Sequence, residues 1–470
     1  MKAFLPKVWL PTLLLLGSCV TPADEQDEVR AKLQAVLEQA AASQKSPGMV
    51  MAVQMGNSEP MFFTTGFQDE QKTLPMTIDQ KFRVGSITKN FVGTAILQQV
   101  DEGKLGLDDT LEKWLPGVIP NIDGNQITIR QMMQHMSGIE SFTTDYTWSL
   151  TVYTDPTHQW IVPDQLLKMT QDLRAHDIQC NLVVPPGTEF IYSNTNFILL
   201  GMIAAKVDGF AQNEWQKVIE QRFFTRLHME NSRVPADDDT SLGSTNHGYV
   251  NFYNFYLNTN TGTSACSALT PPCQNEDIDI TQQNMTNASS AGAIISTAKD
   301  LLTWINAELK GELLSEKIRK EQQTFTSTCK TTSSEAEAGP KSESMAGEVR
   351  RQAAPSAQGL FTIAEPRRPL ADPSCEPAST HCDPTVEAGL AIFKQNKYGF
   401  IGHRGEIFGF DNTIQYLPEK DLTVVVLSNR TALSGNNVAP VPEQVAAVLY
   451  PDLKPQTDAL SVPSIAASTH

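Results

Sequence analysis

The chain has 470 residues, 40% of them hydrophobic and 19% charged, which is enough apolar material to bury a large core and excludes a disordered chain. That length suggests about two or three folding units. The formal net charge of −17 at pH 7 argues against nucleic acid or an anionic lipid surface as a partner and suits a soluble secreted protein.

Met1-Lys2 leads into an apolar run from Val8 to Leu16, and Leu16-Gly17-Ser18-Cys19 follows. A basic start, an apolar stretch too short to span a bilayer and small residues before a cysteine resemble a bacterial lipoprotein signal. Residues 1–18 are therefore expected to be removed and Cys19 to be lipidated. The protein is then exported and anchored on the extracytoplasmic face of a bacterial membrane, with Val20 pointing to the outer membrane. An ordinary signal peptide with a coincidental cysteine is the alternative. Loss of Lys2 and Lys7 with the leader takes the formal charge to −19. Six cysteines remain, at 180, 266, 273, 329, 375 and 382. An even set in an exported chain suggests disulfides. Cys266/Cys273 and Cys375/Cys382 are close pairs in Pro-rich loops, which leaves Cys180 with Cys329 by elimination. Only the parity is evidence, and free thiols are the other reading.

A polar linker over 19–26 leads to a helix over 27–42, with Val29, Leu33, Val36 and Leu37 on one face. Strand-like runs follow at Gly48–Met55 and Pro60–Phe67, and then Val84-Gly85-Ser86-Ile87-Thr88-Lys89 opens an amphipathic helix running to about Glu102. From 104 to 288 the pattern is helical and loop-rich. A capped helix at Ile127–Met133 is ended by His135-Met136-Ser137-Gly138, and the Pro185–Phe190 turn presents Tyr192-Ser193-Asn194 before the apolar helix Phe197–Val207. Residues 239–285 read as loops. A helix at Thr297–Lys310 has a capping box at Thr297 and Asp300 and a stop at Gly311. Residues 324–385 are Ser-, Ala-, Glu- and Pro-rich, a low-complexity insertion rather than a lid, because little in it can pack. Strand patterns return at Ala388–Phe393, Tyr398–His403, Thr413–Leu417 and Leu422–Leu427, then a helix at Pro442–Leu449 and a tail over 451–470.

The expected architecture is α+β: an antiparallel sheet flanked by helices, built from 27–103 and 289–450, with the mainly helical 104–288 inserted as a second lobe. The site is expected in the cleft between them.

Ser86 and Lys89 lie at i and i+3 on one helix face, so the amine can reach the hydroxyl. A lysine held neutral by burial can take the serine proton, and the helix N-terminus favours negative charge beside it. Ser296-x-x-Lys299 and Ser327-x-x-Lys330 match the same spacing, but Ser296 sits at the start of a capped helix and Ser327 lies where patterning fades. Tyr192-x-Asn194 precedes a helix, although Tyr249-x-Asn251 and Tyr256-x-Asn258 share its spacing. His403-Arg404-Gly405 is the only His-x-Gly in the chain. Its histidine could donate a hydrogen bond or a proton from a strand edge, and Gly405 would let a substrate backbone lie close. The eight histidines show no metal-type spacing, so no metal and no other cofactor is expected.

Ser86-x-x-Lys89, Tyr192-x-Asn194 and His403-x-Gly405, in that order, resemble the three signature elements of the serine β-lactamase and penicillin-binding superfamily, in its class C β-lactamase and DD-carboxypeptidase branch (peptidase family S12). Segments 84–111, 127–138, 186–201 and 290–314 resemble that family too, whereas 324–385 and the last residues do not. The resemblance implies that Ser86 forms an acyl-enzyme and that Lys89 and Tyr192 share the base and acid work. It further implies that Asn194 binds the substrate amide and that the backbone N–H groups of Ser86 and Glu406 form the oxyanion hole. Tyr192 would need a lowered pKa, supplied by Lys89 or a protonated His403. His403 stands where β-lactamases of this branch usually have lysine and looks more like carboxypeptidase and esterase members. Arg404 replaces a small hydroxyl residue; its fork either holds a substrate carboxylate or points away to solvent.

Three functions are open. The first is a DD-carboxypeptidase that releases terminal D-alanine from a D-Ala-D-Ala peptide and is acylated by penicillins. The second is a β-lactamase or carboxylesterase of the same fold, and the third a catalytically silent envelope lipoprotein that binds a partner. The oligomeric state is left open.

Overall fold

The structure is a computed structural model, described here for residues 22–120, 122–176, 184–252, 275–329, 383–432 and 437–456. Helix α1 (Pro22–Gln44) precedes strands β1 (Gly48–Met55), β2 (Met61–Gly66) and β3 (Phe82–Arg83), and helix α2 (Ile87–Asp101) follows. The next segment carries α3 (Leu111–Trp114), α4 (Ile129–Met133), α5 (Tyr146–Thr154), α6 (Asp164–His176), α7 (Asn194–Val207) and α8 (Trp215–Ile219). Short strands β4 (Tyr249–Val250), β5 (Ile278–Asp279) and β6 (Ile295–Ser296) lead to α9 (Ala298–Leu309) and α10 (Glu316–Gln322). The chain closes with β7 (Thr326–Ser327), β8 (Val386–Ala388), β9 (Phe393–Gln395), β10 (Phe400–Ile407), β11 (Phe410–Leu417), β12 (Leu422–Ser428) and α11 (Val441–Leu449).

Eight strands form one sheet in the order β2-β1-β12-β11-β10-β9-β8-β7, antiparallel throughout. The early and late strand signals do belong to one sheet, because β1 pairs with β12, Val50 opposite Leu427 and Met51 opposite Val426. Both strands are buried on both faces, so they read as unbroken apolar runs. Met49, Met51 and Val53 with Val424 and Val426 face a core shared with α1 and α11, while Val50, Ala52, Val425 and Leu427 face the larger core. That larger core continues without a break through α2, α7 and α9.

Three expectations about the late strands and the insertion need correction. The run Ala388–Phe393 is not one strand: Ala391 has φ 57, its N–H donates to the Met133 carbonyl, and the chain turns inward between β8 and β9. Strand β10 runs past His403 to Ile407, where Arg404 and Glu406 obscure the apolar pattern. The insertion is narrower than 324–385, since β7 and β8 pair at the sheet edge. Residues 330–382 lie outside the described residues. Cys329 is disulfide-bonded, but Cys180, Cys266, Cys273, Cys375 and Cys382 lie outside those residues, and the pairing scheme with them. Residues 1–18 and Cys19 also lie outside. Among the described residues no helix is long and apolar enough to cross a membrane.

Helix α2 is not amphipathic. It is buried on every side from Ile87 to Gln99, the pattern of a helix in the centre of a protein. Its polar residues therefore need internal partners. Glu308 of α9 supplies several: its Oε1 accepts from Asn90 Nδ2 at 2.7 Å, Thr94 Oγ1 at 2.9 Å and Gln322 Nε2 at 2.7 Å. Trp304 Nε1 donates to Asn90 Oδ1 at 2.7 Å while its ring stacks on Phe91 at 3.7 Å. Burial pushes the Glu308 carboxyl up to about 7, against the three hydrogen bonds that favour its ionised form. The folded state thus holds a proton there between pH 4.5 and 7 that the unfolded chain releases, and stability falls as pH rises through that window. Glu308→Gln is expected to gain on the wild type by on the order of 1 kcal/mol per pH unit from pH 4.5 to 7, which urea unfolding at several pH values measures. A constant difference across the window rules this out.

Candidate active site

The start of α2 is fixed by two glycines whose backbones touch the sheet. Gly85 has φ +54, and a Cβ there would lie 2.6 Å from the Glu406 carbonyl oxygen; a Cβ on Gly405 would lie 1.9 Å from the Val84 carbonyl oxygen. Strand β9 pairs with β10 only over Phe400–Gly402, so the remainder of that β10 edge is left for the Ser86 turn. Asn412 Nδ2, fully buried on β11, joins the two by donating to the Arg83 carbonyl at 3.0 Å and the Gly405 carbonyl at 3.3 Å. Gly405 was expected to make room for a substrate backbone. What lies against it is the chain's own Val84.

Ser86 caps α2 but makes no side-chain capping bond, which leaves its hydroxyl free for chemistry. Lys89 Nζ lies 2.8 Å from Ser86 Oγ and donates to the Ala291 carbonyl at 2.7 Å. The lysine is fully buried, no carboxylate is among its partners in the described residues, and desolvation pulls its pKa well below the usual lysine value. A neutral amine that donates one N–H to the Ala291 carbonyl keeps its lone pair for the serine proton. Tyr192 is close enough to Ser86 for that hydroxyl to act on its pKa, and its ring is 5.2 Å from Lys89 Nζ.

Tyr192 is not acidified as expected. Burial raises its pKa, and the opposing influences are the Ser86 hydrogen bond and Arg404, not a cationic lysine or histidine. His403 is not a cation either: burial pulls it down to about 3, against the hydrogen bond to the Arg404 carbonyl that favours the charged form. Its Nδ1 lies 2.6 Å from the Arg404 carbonyl, which makes Nδ1 the protonated nitrogen, while the buried Nε2 has no hydrogen-bond partner among the described residues. Arg404 is one-third exposed; its Nε donates to Asp411 at 3.0 Å and its Nη2 to Glu406 at 3.0 Å. The fork is thus committed to two carboxylates of its own sheet rather than held open for a substrate carboxylate. Asn194 opens α7, and its Nδ2 donates to Ser141 Oγ and Thr143 Oγ1, each at 3.1 Å. That turns its carbonyl oxygen away from the two hydroxyls.

The competing Ser-x-x-Lys copies have other work. Ser296 Oγ is paired with Ser232 Oγ at 2.8 Å, and Lys299 is exposed. Ser327 Oγ accepts from the Cys329 N–H, and Lys330 lies outside the described residues. Thr297 caps α9 by accepting from the Asp300 N–H, but the box is half formed, because the Asp300 carboxylate turns to Ser232 and Asn231. Tyr249 accepts from the Glu70 N–H, and Tyr256 and Asn258 lie outside the described residues. Sequence reasoning missed Ala291, Ser141, Thr143, Asn412 and His135. Of these only His135 carried a signal, a histidine at the end of a capped helix.

A cavity of about 390 Å³ lined by Gln98, Asp101, Glu102 and Arg222 lies at the opposite end of α2 and belongs to a surface ion-pair cluster, away from Ser86.

Comparison with known proteins points one way. The family model described as Beta-lactamase matches residues 33–442. "Protein flp" of Staphylococcus aureus is 30% identical over 178 residues, 37% of this chain and 32% of that protein. A β-lactamase of Escherichia coli is 28% identical over 238 residues, 49% of this chain and 56% of its own length. The chain thus spans between about a third and somewhat over half of these curated relatives. The crystal structure of a D-stereospecific amidohydrolase from Streptomyces superposes with a TM-score of 0.63 at 24% identity, covering 89% of this chain and 98% of its own, which shows the shared fold.

Gly405→Ala is expected to lose about 1–3 kcal/mol of stability and most activity, because a carbonyl at 1.9 Å belongs to backbone and cannot swing away. Gly106→Ala, whose nearest neighbour would be the Asp109 side chain at 3.6 Å, should stay within about 0.5 kcal/mol. Thermal unfolding of the pair checks this. A second expectation concerns acid. As pH falls from 6.5 toward 3, the unfolded chain takes up a proton at position 403 that the folded chain refuses, so about 1.4 kcal/mol per pH unit is lost there. His403→Gln should flatten the acid limb of the urea-unfolding profile by that amount; an unchanged slope contradicts it.

Proposed function

The chain belongs to the β-lactamase family, and from that premise we propose that it is a serine hydrolase working through an acyl-enzyme on Ser86, with D-Ala-D-Ala carboxypeptidase action as its specific reaction. The observation that carries the reading is the buried Lys89 amine, 2.8 Å from Ser86 Oγ and without an ion pair among the described residues. As the bond from Oγ to the substrate carbonyl carbon forms, the Oγ proton passes to Lys89 Nζ. The carbonyl oxygen becomes an oxyanion, received by the backbone N–H groups of Ser86 and Glu406 at on the order of 3 kcal/mol per donor. Tyr192 gives its phenolic proton to the departing nitrogen and recovers one from protonated Lys89. The C–N bond breaks and the acyl-enzyme remains. Water then attacks it, its proton returns along the same route, and Ser86 is released. A raised Tyr192 pKa suits a group that must stay protonated until the leaving group needs it. Asn194, held by Ser141 and Thr143, offers its carbonyl oxygen to a substrate N–H.

The likeness of fold to the D-stereospecific amidohydrolase supports a second reading, D-stereospecific hydrolysis of amides. Penicillin hydrolysis and ester hydrolysis are the other reactions the same chemistry allows. The apolar leader before Cys19 supports an exported, lipid-anchored protein.

Intact-mass measurement after brief exposure of the purified protein to benzylpenicillin tests the chemistry. A covalent adduct is expected on the wild type and none on Ser86→Ala, with acylation of Lys89→Ala slower by about 10³-fold or more. An adduct that persists on Ser86→Ala refutes the assignment. Release of D-alanine from a D-Ala-D-Ala peptide supports the carboxypeptidase. Penicillin turnover, or cleavage of D-phenylalanine amide without that release, replaces it by the β-lactamase or the amidase.

A further inference from the structure

His135 sits in the left-handed region at φ 57, which is uncommon for a side-chain-bearing residue, and is 1% exposed. From there it touches three consecutive residues. Its carbonyl accepts the Ile191 N–H at 2.8 Å, its Nδ1 accepts the Ser193 N–H at 3.0 Å, and its ring stacks on the Tyr192 ring between them, centroids 4.2 Å apart and planes 25° apart. The other faces of the imidazole meet Phe190, Phe197 and Phe393. The flanking residues repeat the stitch: the Gly187 N–H donates to the Met136 carbonyl at 2.7 Å, and Ser137 Oγ donates to Asn196 Oδ1 at 2.6 Å.

We propose that His135 is the positioning residue of Tyr192: as a neutral ring it sets the plane of the phenol and so the reach of its hydroxyl to Ser86. This rests on the reading of Ser86 as the nucleophile. A nitrogen that accepts from a backbone N–H must be bare, so the ring is the Nε2–H tautomer. Protonation at Nδ1 would oppose two N–H groups and break the clamp at Ser193. Burial is the main cause that keeps the ring neutral, pulling its pKa well below the usual histidine value, and a proton on neighbouring Lys89 or His403 would lower it further. His403 is locked the other way, with Nδ1 protonated against the Arg404 carbonyl. The site therefore holds two buried neutral imidazoles of opposite tautomer.

The test compares His135→Asn, which tolerates a left-handed backbone but lacks the ring, and His135→Phe, which keeps a ring but lacks the acceptor. Both are made in the wild-type and Tyr192→Phe proteins and assayed with p-nitrophenyl acetate and with benzylpenicillin acylation. In the wild-type background kcat is expected to fall on the order of 10- to 100-fold with KM within about threefold. In the Tyr192→Phe background the same changes should add no more than about twofold, because a residue acting through the phenol loses its effect with it. Equal losses in both backgrounds, or an unchanged kcat in a folded variant, overturn the proposal. Should both variants fail to fold, 15N-histidine-labelled wild type carries the test. Two imidazoles should not titrate near pH 6.5, one bare and one protonated at Nδ1; two such rings both protonated at Nδ1 contradict the clamp. A wild type inert toward both probes refutes the acyl-enzyme reading instead, and the tautomer measurement still decides the role of His135.

Discussion

A lysine amine buried with no counter-ion among the described residues is the constraint on which the rest of the site depends. Taking an ammonium out of water without a carboxylate beside it costs far more than the two hydrogen bonds of Lys89 return, so the group is pushed toward its neutral form. The same desolvation acts on everything nearby. His135 and His403 are held below the ordinary histidine range and Tyr192 above the ordinary tyrosine one. All four are thereby kept uncharged, because burial penalises the charged form: Lys89, His135 and His403 without an added proton, Tyr192 with its own. The charge of Arg404 is answered on the spot by Asp411 and Glu406. A nucleophile in such surroundings meets a base that needs no deprotonation by solvent.

Holding that arrangement requires a rigid frame, and the frame is made of backbone. Gly85 and Gly405 let the Ser86 turn and strand β10 come closer than any side chain allows. Asn412 ties both from beneath, and the Val84 N–H donates to the Ile294 carbonyl while the Ile294 N–H donates to Thr88 Oγ1. Helix α2 is then enclosed by α7, α9 and the sheet, which is why it must carry buried asparagine, threonine and glutamine paired to Glu308 and Ala204. The proposed nucleophile and base hang on the placement of one helix terminus, and the proposed oxyanion donors on its contact with strand β10. The protein invests polar side chains along the whole helix to keep it in place.

Much of this was legible in the sequence. β1 was readable to the residue because its apolar run ends in polar and glycine signals on both sides. Ser86 was separable from Ser296 and Ser327 because the latter two lie at places where local capping or composition already explains them. The sheet boundaries around 388–407 were misread where a left-handed Ala391 turns the chain and where charged Arg404 and Glu406 interrupt an apolar strand. Those are backbone and ion-pair decisions, and a one-residue alternation cannot report them.

By itself the sequence determined which residue types are available and in what order: a serine and lysine one helical turn apart, a tyrosine before an apolar helix, a histidine on a late strand. Spacing is a property of the chain, so it survives without coordinates. Only the tertiary structure decided their protonation, because pKa depends on what displaces water around a group. It also decided which partners are spoken for: Arg404 by Asp411 and Glu406, Gly405 by Val84, Asn194 by Ser141 and Thr143. His135, distant in sequence from residues 191–193 yet in contact with all three, is the clearest case. Its proposed role comes from long-range contacts, of which its place at the end of a capped helix gives no sign.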